Sequence, residues 1–598
     1  QGSLIGGATN AFSASSQHNL ANTSGVTLNL NNFNQTIGSL AGGGATGGNV
    51  SLGSATLTTG SNAVTTTYGG SITGTGSLTL TGNSASSMTL SGTNNTYSGT
   101  TQLNQGSLTG GATNTFSASS QHNLANTSGV ILNLNNFSQT IGSLVGGGAT
   151  GGNVSLGSAA LSTGSDNTST TFAGVISGAT GSIIKQGTGA FTLSGSNTYG
   201  GGTTLSNGTI IINSDASLGT ASTSISTTGS STLQTTTSIT TSARPISIAS
   251  GITLSVDVPT GNTLTYPGVI SGATGSLHKI DTGTLTFSGT APSTYGGQTT
   301  ISSGTLATTA VNVLSASSQV NLSSNLILNG NNQTIGSLLG SGTASLGAAQ
   351  LSLGGDNTST DFSGIITGAT GSIVKQGSGT WTLSGSTQNT YGGQTLISAG
   401  TVSTASANIL SSASQVSLSS NLTLNDNNQT IGSLLGSGTV SLGAAQLFLG
   451  GDNTSTNFSG IITGATGSIV KQGSGTWTLS GSTQNTYGGQ TLISTGTVST
   501  TSMNILSPSS QVSLSSNLTL NGNNQTIGSL LGSGTVSLGA AQLSLGGDNT
   551  STNFSGIITG ATGSIVKQGS GTWTLSGPTQ NTYGGQTLIS TGTVSTTS

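Results

Sequence analysis

Cysteine is absent from this 598-residue chain, and charge is almost absent, because Lys and Arg together number 6 and Asp and Glu together number 9. Without cysteine the chain can form no disulfide, no thiolate metal site and no cysteine nucleophile. Six cations over 598 residues cannot build a basic face, so no nucleic-acid partner is expected. No run of 18 apolar residues occurs either, which excludes a membrane-spanning helix.

Proline is also scarce, with 6 residues, whereas glycine contributes 100. Collagen requires glycine at every third position together with abundant proline, and this sequence has neither feature. Disordered chains are usually highly charged and poor in apolar residues, but here the net charge is -3 and 31% of residues are hydrophobic. With collagen and disordered chains excluded, the composition indicates a folded chain.

An internal repeat of about 96 residues organises the sequence. The tyrosine of the motif NTYGG, or a close variant, stands at positions 97, 199, 295, 391, 487 and 583, with spacings of 102, 96, 96, 96 and 96. We therefore number six repeats and a remainder, with boundaries at 1–104, 105–199, 200–296, 297–392, 393–488, 489–584 and 585–598. Repeats 4 to 6 are nearly identical, and repeat 3 has diverged.

Within a repeat, apolar and small polar residues alternate in short bursts, such as AAQLSLGG (348–355) and GTWTLSG (379–385). Gly, Asn and Ser interrupt the alternation at short intervals. This pattern predicts many short strands separated by tight turns and an all-β fold.

A shorter period inside the repeat favours a solenoid over separate β-sandwich domains. Phe362 is followed by Trp381, and Ile373 by Leu396, in similar strand contexts. Such intervals of about 19–23 residues fit one turn of a single-stranded parallel β-helix with three short strands, and they predict roughly 25–30 turns as one continuous solenoid. Sandwich domains would need linkers, and no proline-rich or charged linker separates repeats 4, 5 and 6.

The most specific segment reads G-x-G-x-x-x-L-S-G followed by T-Y-x-G-x-T-x-I-x-x-G-T-V. Copies stand at 187–210, 281–306, 377–402, 473–498 and 569–594, with a looser copy at 82–108. It resembles the autotransporter-associated β-strand repeat, also called the passenger-associated transport repeat, of bacterial passenger domains. The resemblance implies a right-handed parallel β-helix that is exported and lies outside the cell or on a Gram-negative outer surface. It also implies membrane attachment only through a barrel or anchor that is not in this chain.

Four aspartates recur in the segment DNTST or its close match, and each is followed by a lysine at a constant interval. We expect surface ion pairs, one turn apart, rather than a repeated acid–base site, because chemistry rarely needs four identical solitary pairs. The pairs are Asp166 with Lys185, Asp356 with Lys375, Asp452 with Lys471, and Asp548 with Lys567.

Other chemistry-bearing residues are isolated. His18 and His122 occupy a position that is valine in repeats 4 to 6, which indicates packing rather than metal binding. Asp356 and Asp361 share one loop, but the segment does not supply the six or more oxygen ligands that Ca²⁺ takes. We therefore predict no catalytic residue, no metal site and no cofactor.

The recurring aromatic residues divide into two groups. Trp381, Trp477 and Trp573 align with a phenylalanine and a leucine in earlier repeats, which indicates a core position. The tyrosines of NTYGG either pack over a corner or project outward as contact residues. These candidate contact residues are Tyr199, Tyr295, Tyr391, Tyr487 and Tyr583.

The sequence thus predicts a non-enzymatic, adhesive and structural stalk that acts by length and repeated weak contacts with a host surface, an abiotic surface or glycans. A second hypothesis is a self-assembling filament, by head-to-tail or lateral association, because residues 591–598 align with residues 1–8 in the repeat. A third hypothesis is a polysaccharide-binding or polysaccharide-degrading β-helix.

Overall fold

The computed structural model describes residues 2–221 and 223–597. The chain forms two compact units, one ending at Leu306 and the other beginning at Ala307. Each unit is a β-solenoid of short parallel strands, and the two comprise about 27 turns. The only helical element in the described ranges is a 3₁₀ turn at Asp215–Leu218. The prediction of an all-β parallel β-helix with 25–30 turns is therefore confirmed, and the alternative of separate β-sandwiches is wrong.

The strands are short, and their sheets run along each unit. One sheet of the first unit contains Gln17–Leu20, Ser39–Gly42, Thr65–Tyr68, Ser87–Leu90, Ser107–Gly110, Ile131–Asn133, Asn153–Ser155, Ile176–Gly178 and Thr198–Tyr199. A second sheet contains Gln139–Thr140, Ala160–Thr163, Ser182–Lys185, Thr203–Leu205, Ile225–Thr227, Ile246–Ile248 and Ile270–Ser271.

The longest continuous sheet of the second unit has 13 strands and passes through repeats 4, 5 and 6. Its strands are Gln333–Thr334, Gln350–Leu353, Ser372–Lys375, Thr395–Ile397, Gln415–Leu418, Ser433–Gly436, Thr456–Phe458, Thr476–Leu479, Thr497–Thr500, Asn517–Thr519, Thr535–Ser537, Ile557–Gly560 and Thr582–Tyr583.

Inward side chains stack in columns because each turn presents the same strand face to the turns above and below. In the 13-stranded sheet, Leu351, Ile373, Thr395, Val416 and Leu434 lie in register on five successive strands, and all five are buried. Burying one aliphatic side chain contributes about 1.5–3 kcal/mol, so the columns supply the cohesion that a single turn lacks.

Glycine and asparagine form the corners. Gly377 has a φ of +65°, and a Cβ atom there would lie 1.9 Å from the carbonyl oxygen of Gly354 in the preceding turn. Asn357 also adopts a left-handed φ, of 60°, and its side-chain oxygen accepts a hydrogen bond from the Ser378 amide at 2.9 Å. These corners are tight because successive turns are close and bridged by side chains.

The register between successive turns varies along the chain. Gln319 pairs with Ser337, whereas Ser107 pairs with Ile131, so the second of these turns contains several more residues than the first. Corner loops of different lengths account for this difference, since the paired strands themselves are short.

One repeat of the second unit does not fill a whole number of turns. Starting from strand Gln415–Leu418, five turns along the same sheet lead to strand Asn517–Thr519. The equivalent strand of repeat 6 is Gln511–Leu514, one strand earlier in the chain and in a different sheet. A repeat therefore spans one face less than five turns. Because each turn has three faces, one repeat is four and two-thirds turns.

Equivalent residues of repeats 4, 5 and 6 consequently lie on three different faces. Strands Gln319–Leu322, Gln415–Leu418 and Gln511–Leu514 belong to three different sheets, although their sequences are nearly the same. With about 4.8 Å between strands, each copy advances about 22 Å along the axis and moves round by one third of a turn. Successive repeats in this unit are thus related by a screw operation, which combines this translation with this rotation.

Candidate functional site

The described ranges hold no cluster of side chains suited to a metal ion. Among residues 2–221 and 223–597, no group of three or more His, Asp or Glu side chains is placed to hold a metal ion. No helix in the same ranges is long and apolar enough to cross a membrane. The residues singled out by the sequence instead recur, repeat by repeat, along each unit.

The recurring lysines are buried, not exposed. Lys375 is 1% exposed and lies in an inward column between Leu353 and Ile397. Its Nζ donates hydrogen bonds to the carbonyl oxygens of Gln376 at 2.5 Å, Gly377 at 3.0 Å and Ala399 at 3.4 Å. The ammonium group thus occupies a ring of carbonyl oxygens at the corner.

The prediction of surface ion pairs is wrong for all four pairs. The only ion pair within 4.0 Å in the described part of the chain joins Arg244 to Asp215, and the lysines at 185, 375, 471 and 567 are each 1% exposed. The constant spacing between aspartate and lysine does not reflect a contact, because the residue paired with Lys375 on the preceding turn is Leu353 and not Asp356. Burial lowers the pKa of Lys375, and the negative charge of Asp356 partly opposes that shift.

The aspartates organise their own loops instead. Asp356 Oδ1 accepts hydrogen bonds from the Thr358 amide at 3.0 Å and from the Thr358 hydroxyl at 2.9 Å. Its Oδ2 accepts a hydrogen bond from the Ser337 hydroxyl at 2.7 Å, in the preceding turn. The carboxylate therefore fixes the loop and links two turns, whereas Asp361 is exposed.

The NTYGG tyrosines are interior residues, which corrects the hypothesis of outward contact residues for four of them. Tyr199, Tyr295, Tyr391 and Tyr487 are 0–1% exposed, while Tyr583 is partly exposed. A hydrogen bond of 2.7–2.8 Å joins each hydroxyl to that of the next threonine along the chain. Burial raises the pKa of Tyr391 to about 12.

A chain of buried polar groups lies beside Tyr391. The Thr395 hydroxyl at the start of repeat 5 also bonds to Ser414 in the next turn, at 2.8 Å. Asn389 accepts a hydrogen bond from the Ile366 amide at 2.7 Å and donates one to the Ile409 carbonyl at 2.8 Å. The amide side chain therefore bridges the turns on both sides, and these polar groups are structural.

The tryptophan and histidine positions are core positions, as the sequence predicts. Trp381, Trp477 and Trp573 are 1% exposed, and their indole nitrogens have no hydrogen-bond partner. His122 is fully buried against Phe116, with ring centroids 5.6 Å apart, and burial lowers its pKa to about 4. The equivalent His18 is partly exposed.

A buried arginine in repeat 3 was not singled out as a site by the sequence analysis. Arg244 is 0% exposed, and its Nε donates a hydrogen bond to Asp215 Oδ1 at 2.7 Å. The remaining guanidinium donors bind the Thr223 hydroxyl and the carbonyl oxygens of Asp215, Leu218, Gly219 and Thr220. Arg244 therefore holds the 3₁₀ turn in place, and its signal was that repeat 3 alone contains an arginine.

The outer surface that remains is neutral to acidic. All five lysines and Arg244 are buried, whereas each of the nine aspartates is at least partly exposed. In repeats 4 to 6 the exposed tripeptide Asn-Thr-Ser recurs at 357–359, 453–455 and 549–551. Repeat 1 also has an open polar groove of about 240 Å³ beside Asn49, Ser71 and Asn94.

Comparison with known proteins places these corners in a family. The passenger-associated-transport-repeat model matches residues 85–109, 183–212, 277–307, 373–403, 469–499 and 565–595. These segments contain the buried lysines and tryptophans and the recurring tyrosines described above, so the family signature in this chain includes interior strand residues.

Part of the chain is similar to an adhesin. Over an aligned length of 183 residues it is 33% identical to the adhesin BmaC autotransporter of Brucella suis biovar 1 (strain 1330). The alignment covers 27% of this chain and 5% of that protein, so the chain spans a small part of its relative's length. No solved structure matches the chain significantly. The chain is therefore a passenger-like β-solenoid that carries six passenger-associated-transport-repeats and is homologous, over part of its length, to an autotransporter adhesin.

Proposed function

We propose that this chain is an exported, non-enzymatic adhesive stalk whose outer face makes many weak contacts with a host surface, an abiotic surface or glycans. The observation that carries the proposal is a separation of roles: the lysines and tryptophans of the family signature are interior, whereas the exposed Asn-Thr-Ser tripeptides of repeats 4 to 6 are small, polar and repeated. Adhesion by such a surface depends on the number of copies rather than on one strong site.

The screw of repeats 4 to 6 adds a geometric reason. Because equivalent residues lie on three faces, this unit presents a copy of each exposed segment in three directions. A surface approached from any side meets at least one copy. The absence of an exposed cation among the Lys and Arg residues favours uncharged ligands, bound by hydroxyl and amide groups.

The test compares the chain with a variant lacking residues 393–488, which joins repeat 4 to the nearly identical repeat 6 at matching positions. Beads coated at equal density are washed from cultured host cells, plastic and immobilised glycans. If weak contacts add, retention on the bound surface falls severalfold, far more than the loss of one repeat in six.

A circular dichroism spectrum with unchanged β-content per residue shows that the variant is folded. Equal retention of the two folded proteins on every surface that binds the full chain contradicts the proposal. Turnover of any of the glycans also contradicts it, because the stalk has no catalytic role in this account.

A further inference from the structure

Three Asn-Gly pairs occur in the sequence, at 207–208, 329–330 and 521–522. An asparagine followed by glycine can lose its side-chain amide when the glycine nitrogen attacks the side-chain carbonyl carbon. The three asparagines are all exposed, so solvent access does not distinguish them. The hydrogen bonds of the three pairs differ.

At Asn207 the two reacting groups are held together. The Gly208 amide nitrogen donates a hydrogen bond to Asn207 Oδ1 at 2.8 Å, which folds the side-chain amide back onto the peptide nitrogen that follows it. Such a short-range arrangement is close to the geometry of attack, and pre-orientation of this kind lowers the entropic barrier.

At the other two pairs the groups are held apart. The Gly330 nitrogen donates to the Leu346 carbonyl in the next turn at 3.1 Å, and Asn329 Nδ2 donates to the Thr308 carbonyl in the previous turn at 3.1 Å. Asn521 and Gly522 repeat this arrangement, with bonds of 3.1 Å to Thr500 and Leu538. The attacking nitrogen and the side-chain amide are thus drawn in opposite directions along the axis.

A buried cation also lies beside the reactive corner. Lys185 Nζ donates a hydrogen bond to the Asn207 carbonyl oxygen at 3.4 Å, besides its bonds to Gln186 and Gly187. That carbonyl belongs to the same peptide group as the Gly208 nitrogen. Withdrawal of electron density by the ammonium makes the Gly208 N–H more acidic and therefore easier to convert to a nucleophile.

We propose that Asn207 is a site of spontaneous backbone modification in the folded chain. The Gly208 nitrogen, after losing its proton to solvent, forms a bond to Asn207 Cγ; the Cγ–Nδ2 bond breaks, and ammonia leaves with a proton from water. The resulting five-membered imide ring is opened by water at either carbonyl. The net reaction converts asparagine and water to aspartate or isoaspartate and ammonia.

The product changes charge and backbone at one corner of repeat 3. One new carboxylate takes the formal net charge from -3 to -4. Isoaspartate also lengthens the main chain by one carbon between strands Thr203–Leu205 and Gly208–Ile212, both of which are paired to neighbouring turns. The extra atom must therefore be accommodated at the exposed corner.

The experiment incubates the folded full chain at neutral pH, where Lys185 keeps its charge because burial lowers its pKa only to about 8. The conversion of the three Asn-Gly peptides is measured by mass spectrometry. The peptides around 329 and 521 are distinguishable because one contains Ile327 and the other Thr519. We expect Asn207 to convert at least about tenfold faster than the other two. In denaturant the three rates should become similar, because the folded hydrogen bonds are lost.

The Asn207→Ser variant is the matched control, since the equivalent residue of repeat 4 is Ser303. It should fold normally and accumulate no additional acidic species in this segment. Equal rates at all three pairs in the folded chain overturn the proposal. A faster rate at Asn207 that persists in denaturant also overturns it, because local sequence and not the fold would then be the cause.

Discussion

Repeat 3 and repeats 4 to 6 differ in the hydrogen bonding of their buried polar side chains. In repeat 5 the Thr395 hydroxyl is buried and bonded to both Tyr391 and Ser414. In repeat 3 the hydroxyls of Thr227 and Thr235 are equally buried, but neither has a hydrogen-bond partner. Apart from the tryptophan indoles, buried side-chain polar groups have hydrogen-bond partners in repeats 4 to 6, whereas repeat 3 has several buried hydroxyls without one.

The unpartnered hydroxyls of repeat 3 lie in one stretch of chain. Thr227, Ser231, Thr235 and Thr241 all lack a partner, and strand pairing places Thr227 between Leu205 and Ile248. A buried hydroxyl without a hydrogen bond costs about 1–3 kcal/mol. These hydroxyls therefore weaken this stretch, whereas the nearby Arg244 bonds to Asp215 and to five other oxygen atoms.

The largest expected effect is the loss of that arginine. Arg244→Met removes the partner of Asp215 and the donor to five other oxygen atoms, so we expect the free energy of unfolding to fall by about 3–5 kcal/mol. Lys375→Met, in a regular repeat, removes a donor to three carbonyls and should cost less, about 1–3 kcal/mol. Denaturant unfolding with hydrogen exchange of local peptides measures both. A larger loss for Lys375→Met would reverse the comparison.

Threonine-to-valine changes of matched shape test the hydroxyls directly. Thr227→Val and Thr235→Val remove unpartnered hydroxyls, and each should raise the free energy of unfolding by about 1 kcal/mol. Thr395→Val leaves the Tyr391 and Ser414 hydroxyls without this partner and should lower the same quantity by about 1–3 kcal/mol. Thermal unfolding of the three variants checks the signs. If all three changes destabilise the chain, the hydroxyls of repeat 3 have partners in solution.

The smallest expected effect is a pH dependence from the lysine of repeat 3. Burial lowers the pKa of Lys279 from 10.5 to about 8, although Asp281 and Asp257 oppose the shift. Between these two values the unfolded chain binds more protons at this residue than the folded chain, so stability rises with pH from about 8 upward.

Melting temperatures measured from pH 7 to just below the ordinary tyrosine pKa of 10.0 test this dependence. Lys279→Met is the control, and subtracting its curve isolates the lysine. A difference that falls as the pH rises would mean that the folded state favours the charged amine.

Several features of the fold could be predicted from the sequence because they depend on local pattern. Alternation in GTWTLSG places Trp477 and Leu479 on the same side of a strand, and both are buried. The same rule, applied to Ser372–Lys375, places Lys375 inward with Ile373. The prediction of a surface lysine is wrong because the carbonyl oxygens of Gln376, Gly377 and Ala399 replace water around the inward ammonium.

The direction of the Tyr391 side chain and the number of turns per repeat could not be predicted from local alternation. Tyr391 precedes two glycines at a corner, where alternation stops, so its direction depends on the hydroxyl of Thr395. The four and two-thirds turns per repeat depend on the sum of corner lengths, and the length of a turn varies along the chain. The repeat length by itself does not reveal where each turn closes.

The sequence by itself determined that the chain stacks short strands, that six repeats share one signature, and that the chain has no thiol group and only six Lys and Arg side chains. These conclusions follow from composition and from a strand period of two, which act over short stretches of chain. The tertiary structure decided that the cations are all interior, that equivalent surfaces occupy different faces, and that Asn207 alone of the three Asn-Gly asparagines meets its neighbouring nitrogen. Those properties depend on which carbonyl oxygens and amides of adjacent turns come within hydrogen-bonding distance, and turn-to-turn register, not residue type, sets that distance.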